Sequence, residues 1–284
     1  MSQKSYDGSP VVYLIPTPIG NMDDITLRAI NTLKEVEVVF SEDTRVTGLL
    51  LKHLGIKKKL ISSHKFNEDG NRDKLLEYLS SGFSVGVVSD RGTPCISDPG
   101  YELALCAIEN GYNVVGLPGP TAFVPALIVS GLDISKFTFI GFLNSKSSKR
   151  CKELEELKYH HESLIFYESP HRIKEMLEDV LKVLGNRRVS ISREITKRYE
   201  EVFRGNVIDI IPLMVDIKGE FVIIVEGSNE EEKCDNLTIL EHIEFYKKLG
   251  NSDMDAIKLV AKERGVAKSV IYNEYHLKRW FIWN

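Results

Sequence analysis

The segment Ser89-Asp90-Arg91-Gly92-Thr93-Pro94-Cys95-Ile96-Ser97-Asp98-Pro99-Gly100 constrains this chain more than any other. Nine of its twelve residues are Gly, Pro, Asp, Ser or Thr, so it continues neither a strand nor a helix. An apolar run at 83–88 precedes it and reads as a buried strand. Residues 101–108 follow and read as a helix. A loop of turn residues at the carboxyl end of a strand is where open α/β sheets place ligands. It is also longer than a plain βα connection needs.

The alternation extends in both directions. Residues 11–15, 36–40, 60–62 and 113–117 read as strands. Asp24 is expected to cap a helix carrying Leu27, Ile30 and Leu33 at helical spacing, and 44–53 reads as a second helix. A third, over 71–81, is closed by Gly82, a residue suited to a left-handed cap. Asp98 and Pro99 suit Ncap and N1 of the next helix, with Gly111 at its end. Repeated βα units predict a mainly parallel sheet covered by helices. Residues 121–131 read as a helix leading to a second unit. A polar, basic connection over 144–150 follows, then helix 151–159, strand 163–167, helix 170–184 and strands 188–193, 200–204 and 220–226. Adjacent strands predict a mixed sheet there. Residues 227–233 read as a linker. Three short helices at 237–249, 253–264 and 268–277 follow it, with Gly265 at a helix-turn-helix break. The expected organisation is a loose tail at 1–10, an N-terminal α/β domain at 11–120, a second α/β domain at 121–228 and a small C-terminal helical domain at 229–284.

Four polar loops follow strands: 16–21, 41–45, 89–100 and 118–121. Each alone reads as a helix entry. Together, in a parallel sheet, they gather on one edge and make a binding site. There is no GxGxxG and no GxxxxGK[ST], which argues against the usual polyphosphate cradles, and no HExxH. A fifth segment is Phe166-Tyr167-Glu168-Ser169-Pro170-His171-Arg172. Ser169 and Pro170 suit a helix start, while Tyr167 beside Glu168 is suited to a flat, hydrogen-bonding ring. His64 follows a short strand and is a further candidate for the cleft. Lys146, Lys149, Arg150 and Lys152 are suited to phosphate contact or to a solvated inter-domain connection.

A net charge of −4 argues against a general nucleic-acid coat, so any RNA contact is a local patch. Cys95, Cys106, Cys151 and Cys234 show no CxxC and no metal-ligand spacing, as expected of reduced thiols in the cytoplasm. No apolar run approaches the ~18 residues of a membrane span, and residues 1–10 lack the apolar stretch of a signal peptide.

Several of these segments recur together in a known family. Pro16-Thr17-Pro18-Ile19-Gly20-Asn21 with Asp24-Ile25-Thr26-Leu27-Arg28-Ala29, then Glu42-Asp43-Thr44-Arg45, the Ser89–Gly100 motifs, Leu117-Pro118-Gly119-Pro120 and the Phe166–Arg172 segment stand in its order. Across roughly 11–227 the chain resembles the tetrapyrrole-methylase-like, class III methyltransferases, and among them the branch acting on small-subunit ribosomal RNA. The tail resembles that branch's small C-terminal domain. The resemblance implies S-adenosylmethionine as donor, held in a cleft between two α/β domains. It implies the 2′-hydroxyl of a decoding-centre cytidine in 16S rRNA as acceptor, on naked RNA or the small ribosomal subunit. It also implies a homodimer, with no membrane, DNA or metal involved. By motif position, Ile19, Asp90, Thr93, Pro94, Thr121, Ala122 and Tyr167 would contact the cofactor. Arg91 stands where the family usually has Ala, and a cation there opposes a sulfonium unless its side chain points away. Residues 64–67 (His-Lys-Phe-Asn) replace a His-Glu-His-Asn pattern, and Pro16 replaces an Ala.

In-line methyl transfer needs alignment and a proton acceptor for the ribose hydroxyl. Glu42 and His64 are the preferred acceptors, with Asp43 and Glu168 as further candidates. Arg45 and Arg172, with Lys149 and Arg150, are candidate phosphate contacts. Two other readings are a tetrapyrrole-precursor methyltransferase on the same fold and a non-catalytic RNA-binding protein using the helical tail.

Overall fold

A computed structural model describes residues 3–5, 7–64, 68–229, 237–248 and 250–282. The chain divides into two compact units, Met1–Ser228 and Asn229–Asn284.

The first unit carries two five-stranded sheets. One is built from β1 (Val11–Leu14), β2 (Val38–Ser41), β3 (Lys59–Ser62), β4 (Val85–Val88) and β5 (Asn113–Gly116) in the order β3-β2-β4-β1-β5. All its neighbours are parallel. Between the strands run α1 (Leu27–Glu35), α2 (Thr44–His53), α3 (Glu68–Ser80) and α4 (Tyr101–Glu109). Alternate strand residues bury against opposite layers. Val11 and Val39 pack with Ala29 and Leu33 of α1 and Leu51 of α2. Val12, Val38 and Phe40 pack with Leu75 and Leu79 of α3 and Leu103 and Ala107 of α4. Burial on both faces is why these strands read as unbroken apolar runs. From β2 the chain steps outward to β3; from β4 it crosses β1 to reach β5. The direction reverses between neighbours β2 and β4, and their loops part there to leave a crevice.

Helix entries differ from expectation in three places. Thr26, not Asp24, caps α1, accepting from the Ala29 N–H at 3.0 Å. Asp24 lies in a 3₁₀ turn, Met22–Asp24, and accepts a hydrogen bond from Thr196 Oγ1 in the second sheet's half. At α4 the cap is Gly100, with φ +121°, rather than Asp98. The loop before it closes on itself, Cys95 N–H donating to Pro99 O at 3.2 Å. At the third entry, α7 (Ile173–Leu184) starts after Arg172 rather than at Pro170.

The second sheet contains β6 (Phe137–Phe142), β7 (Ser163–Glu168), β8 (Arg188–Arg193), β9 (Glu201–Asn206) and β10 (Phe221–Val225) in the order β6-β7-β10-β8-β9. Only β6 and β7 are parallel, so the sheet is mixed. Helices α6 (Ser147–Glu156) and α7, with the short α8 (Val207–Ile210), cover one face through Leu154, Met176, Val180 and Ile210 against Leu164, Phe166 and Ile223. The short α5 (Phe123–Ile128) covers the other, where Ala126 and Leu127 meet Ile165, Val222 and Ile224. Strand β6 was not anticipated. Its register slips between Phe139 and Gly141, and Gly141 has φ +77°, a bulge that breaks strand periodicity. The first turn of α6 takes in Lys149 and Arg150, so the connection expected over 144–150 ends as helix.

The second unit packs α9 (Ile239–Lys248), α10 (Asp253–Glu263) and α11 (Lys268–Ile282) around Ile243, Ile257, Val260, Ile271 and Tyr275. The buried His242 ring bridges Glu263 Oε2 at 2.6 Å and Arg264 Nε at 3.1 Å. Arg264 Nε can only donate, so Nδ1 accepts and Nε2 carries the proton to Glu263. Gly265, at φ +62°, ends α10. Cys234 and linker residues 230–233 lie outside the described residues.

The loops leaving β1 and β5 touch at Gly119. A Cβ there would fall 2.6 Å from Pro16 Cβ, which cannot swing aside. Gly119→Ala is therefore expected to cost ~1–3 kcal/mol of unfolding free energy, measured by urea denaturation. Gly116→Ala, with nothing within 4 Å of the new methyl, is the matched control and should cost little.

Candidate active site

The crevice between β2 and β4 opens into a cavity of about 590 Å³ whose lining comes from both sheets. Its floor is a reciprocal lock. The Asp43 N–H donates to Asp90 Oδ1 at 2.9 Å, and the Asp90 N–H donates to Glu42 Oε2 at 3.2 Å. Each carboxylate thus holds the backbone of the neighbouring loop. The other loops join the same fabric. Thr17 and Gly92 exchange N–H···O bonds at 2.9 and 3.0 Å, and Thr93 Oγ1 donates to Pro120 O at 2.9 Å.

The second sheet supplies the opposite wall. Tyr167 packs edge-on against Phe139 and Phe142 at centroid distances of 5.1 and 5.6 Å. Burial pushes its phenol above the ordinary tyrosine range, while hydrogen bonds with Thr121 and the Phe123 backbone pull the other way. Arg91 lines the cavity, but its charge is not left unmatched there. Its guanidinium pairs with Glu220 across the two halves. Glu220 also holds Lys197 at 2.8 Å, and Lys197 holds Glu194 at 2.9 Å. The cation that seemed out of place beside a positive ligand is thus matched by an anion.

Five carboxylates line the cavity, and Asp98 is the one that feels the two of the lock, Glu42 and Asp90, most directly. Burial pushes Asp98 up to about 7, and the negative charges of Glu42 and Asp90 add to the effect. Asp43 behaves oppositely. Hydrogen bonds from the Arg45 side chain and backbone hold it down to about 2. It caps α2, accepting from the Arg45 N–H at 2.8 Å. An acidic crevice with one aromatic wall suits a ligand that carries positive charge and a flat ring.

Of the residues singled out from sequence, Ile19, Glu42, Asp90, Thr93, Thr121, Ala122, Tyr167 and Glu168 share this cavity. Pro94 is buried in the loop behind it. Asp43, Arg45, His64, Lys149, Arg150 and Arg172 do not line it. His64 is exposed after edge strand β3, one strand removed from the crevice, and residues 65–67 lie outside the described residues. Arg172 donates to Leu143 O at 2.8 Å and stands 3.0 Å from Glu168 Oε2, so it orders the loop after β6. Arg150 corrects an expectation. It is 1% exposed, with Nε on Asp179 Oδ2 at 2.7 Å, so it ties α6 to α7 rather than meeting RNA. Lys146, Lys149 and Lys152, three residues apart, are exposed instead. The residue that sequence reasoning missed is Asp98. An Asp-Pro pair before a helix reads as Ncap and N1, and the one contrary signal was Gly100, which caps equally well.

The sequence profile of the family described as Tetrapyrrole (Corrin/Porphyrin) Methylases matches residues 11–211. Uroporphyrin-III-C-methyltransferase from Thermus thermophilus superposes with a TM-score of 0.56 at 21% identity, over 76% of this chain and 94% of that one. The methyltransferase CobJ does so with a TM-score of 0.58 at 19% identity, over 78% and 95%. Proteins named ribosomal RNA small subunit methyltransferase I are similar throughout. That of Halalkalibacterium halodurans is 47% identical over 97% of this chain and 99% of its own. That of Bacillus subtilis is 43% identical over 98% and 99%. Two α/β halves meeting at an acidic crevice, with this profile across them, define a methyltransferase. The chain belongs to the tetrapyrrole methylase family and stands, within it, beside the relatives named ribosomal RNA small subunit methyltransferase I.

The raised Asp98 pKa has a thermodynamic consequence. Between the ordinary aspartate range and about 7 the folded protein binds more proton than the unfolded chain, so this group's contribution to stability falls as pH rises through that window. Asp98→Asn removes the penalty. The variant should melt higher than wild type above about pH 7, with the advantage gone below pH 4, as read from melting temperature against pH. An advantage independent of pH would contradict the assignment.

Proposed function

We propose that this methyltransferase moves a methyl group from S-adenosylmethionine to the 2′-hydroxyl of a cytidine ribose in the decoding centre of 16S rRNA. The observation that carries this is the match, end to end, with relatives named for the small-subunit ribosomal RNA they methylate. The cavity agrees with it chemically. When bound, the donor supplies a methyl group on a positively charged sulfur. Asp98 faces that charge, and Glu42 and Asp90 offset the charge of the donor's amino group. Ile19, Thr93, Thr121 and Ala122 shape the space, and Tyr167 walls the adenine. The same three carboxylates would repel a tetrapyrrole rich in carboxylates, whereas a ribose presents a neutral hydroxyl.

RNA phosphates would be met outside the cavity. Lys149, with Lys146 and Lys152, gives an exposed basic face on α6, and the Arg45 side chain is 88% exposed at the start of α2. Such contacts position the RNA, leaving the cavity to select the ribose. The enzyme is proposed to work in the cytoplasm, where ribosomal subunits are assembled, and as a homodimer. Val124, Ile128, Ile134 and Phe137 are exposed apolar residues on or beside α5 and β6, and they support self-association.

Incubation with tritiated donor tests the substrate. Label is expected in 16S rRNA, within a dinucleotide that resists alkaline cleavage because its 2′-oxygen is methylated. Label confined to a porphyrinoid would overturn this reading, and failure to bind donor in calorimetry would favour a non-catalytic RNA-binding protein. Light scattering should give twice the chain mass of 32.2 kDa; a monomer at working concentrations would exclude the dimer.

A further inference from the structure

Resting on the reading above, we propose that Asp98 is the proton acceptor for the ribose 2′-hydroxyl. Five carboxylates line the cavity, and four are committed elsewhere. Glu42 holds the Asp90 N–H at 3.2 Å, and Asp90 holds the Asp43 N–H at 2.9 Å. Glu168 accepts from the Ser169 N–H at 2.7 Å and faces Arg172 Nη2 at 3.0 Å. Glu220 is paired with Arg91 and Lys197. Spending any of these on a proton would loosen a loop or an ion pair. Asp98 is half-buried in the same cavity, and among the described residues no donor hydrogen-bonds its carboxylate.

The backbone places it there at a cost. Cys95 and Ser97 have φ of 72° and 66°, and Gly100 has φ +121°. Two non-glycine residues in the left-handed region within one loop store strain of the kind found at working sites. Here that conformation takes Asp98 off the helix it would otherwise cap and leaves it in the crevice. Burial sets its basicity first, the charges of Glu42 after β2 and Asp90 after β4 add to it, and Tyr167 on β7 also faces the group. Arg91, Glu168 and Glu220 line the same cavity, each paired as described. The resulting affinity for a proton near neutral pH is that of an effective general base.

The step balances. The 2′-oxygen bonds to the methyl carbon of the sulfonium donor as the carbon–sulfur bond breaks, its electron pair passing to sulfur. The hydroxyl proton passes to an Asp98 carboxylate oxygen and from there to solvent. Neither oxidant nor metal takes part.

The test combines rate and proton release. In single turnover with 30S subunits, Asp98→Asn should be slower by about 100- to 10,000-fold, with affinity for S-adenosylhomocysteine little changed. In the donor-bound complex the wild-type rate should rise with pH up to neutrality, a limb that Asp98→Glu keeps and Asp98→Asn lacks. Independently of turnover, S-adenosylmethionine should displace a proton from wild type near pH 7, because a bound cation favours the ionised carboxylate. Calorimetry in buffers of different ionisation enthalpy reads this directly on the wild type, even if Asp98→Asn fails to fold. A pH-independent wild-type rate, no proton release, or a full rate in Asp98→Asn overturns the assignment while leaving the substrate reading intact. A wild type that puts no methyl on ribosomal RNA overturns both.

Discussion

Two backbone N–H groups, those of Asp43 and Asp90, donate to carboxylates on each other's loops, and the crevice depends on this exchange. A parallel sheet that reverses direction leaves its loops splayed, and splayed loops have little to pack against. Here the side chain of each loop satisfies the backbone of the other. The arrangement concentrates negative charge at the open end of the sheet, where a cationic ligand is accommodated. The stabilisation of the loops and the electrostatics of the cavity therefore come from the same atoms.

The two halves of the unit meet through interactions of different strength. Arg91 and Glu220 are 55% and 61% exposed, and an ion pair so solvated contributes ~0–1 kcal/mol. It orients Arg91 rather than fastening the halves. Arg150 and Asp179 are 1% and 11% exposed, and removing one partner of such a pair costs ~3–5 kcal/mol. That pair lies within the second half, between α6 and α7. The stronger ionic tie thus lies inside the second half, while the Arg91–Glu220 pair that spans the seam is solvated.

Much of this was legible in the sequence because parallel strands and their helices carry strong periodic signals. Helix α2 and strand β8 have the bounds read for them, and the four loops gather on one edge as expected. The misses have local causes. Strand β6 hides behind a glycine bulge. Arg150 lies in a polar stretch whose helical turn points one cation inward and three lysines outward. Asp98 carries a strong local capping signal, and only the tertiary closure of its loop overrides it. Arg91 was recognised as a conflict from sequence, but its resolution, Glu220, is 129 residues away in the chain.

The most direct measurement is the structure of the complex with S-adenosylmethionine. The donor should occupy the crevice beside Glu42 and Asp90, its adenine against Tyr167 and its methyl group turned toward Asp98. A donor bound outside that crevice, or one whose methyl group faces away from Asp98, would contradict the account.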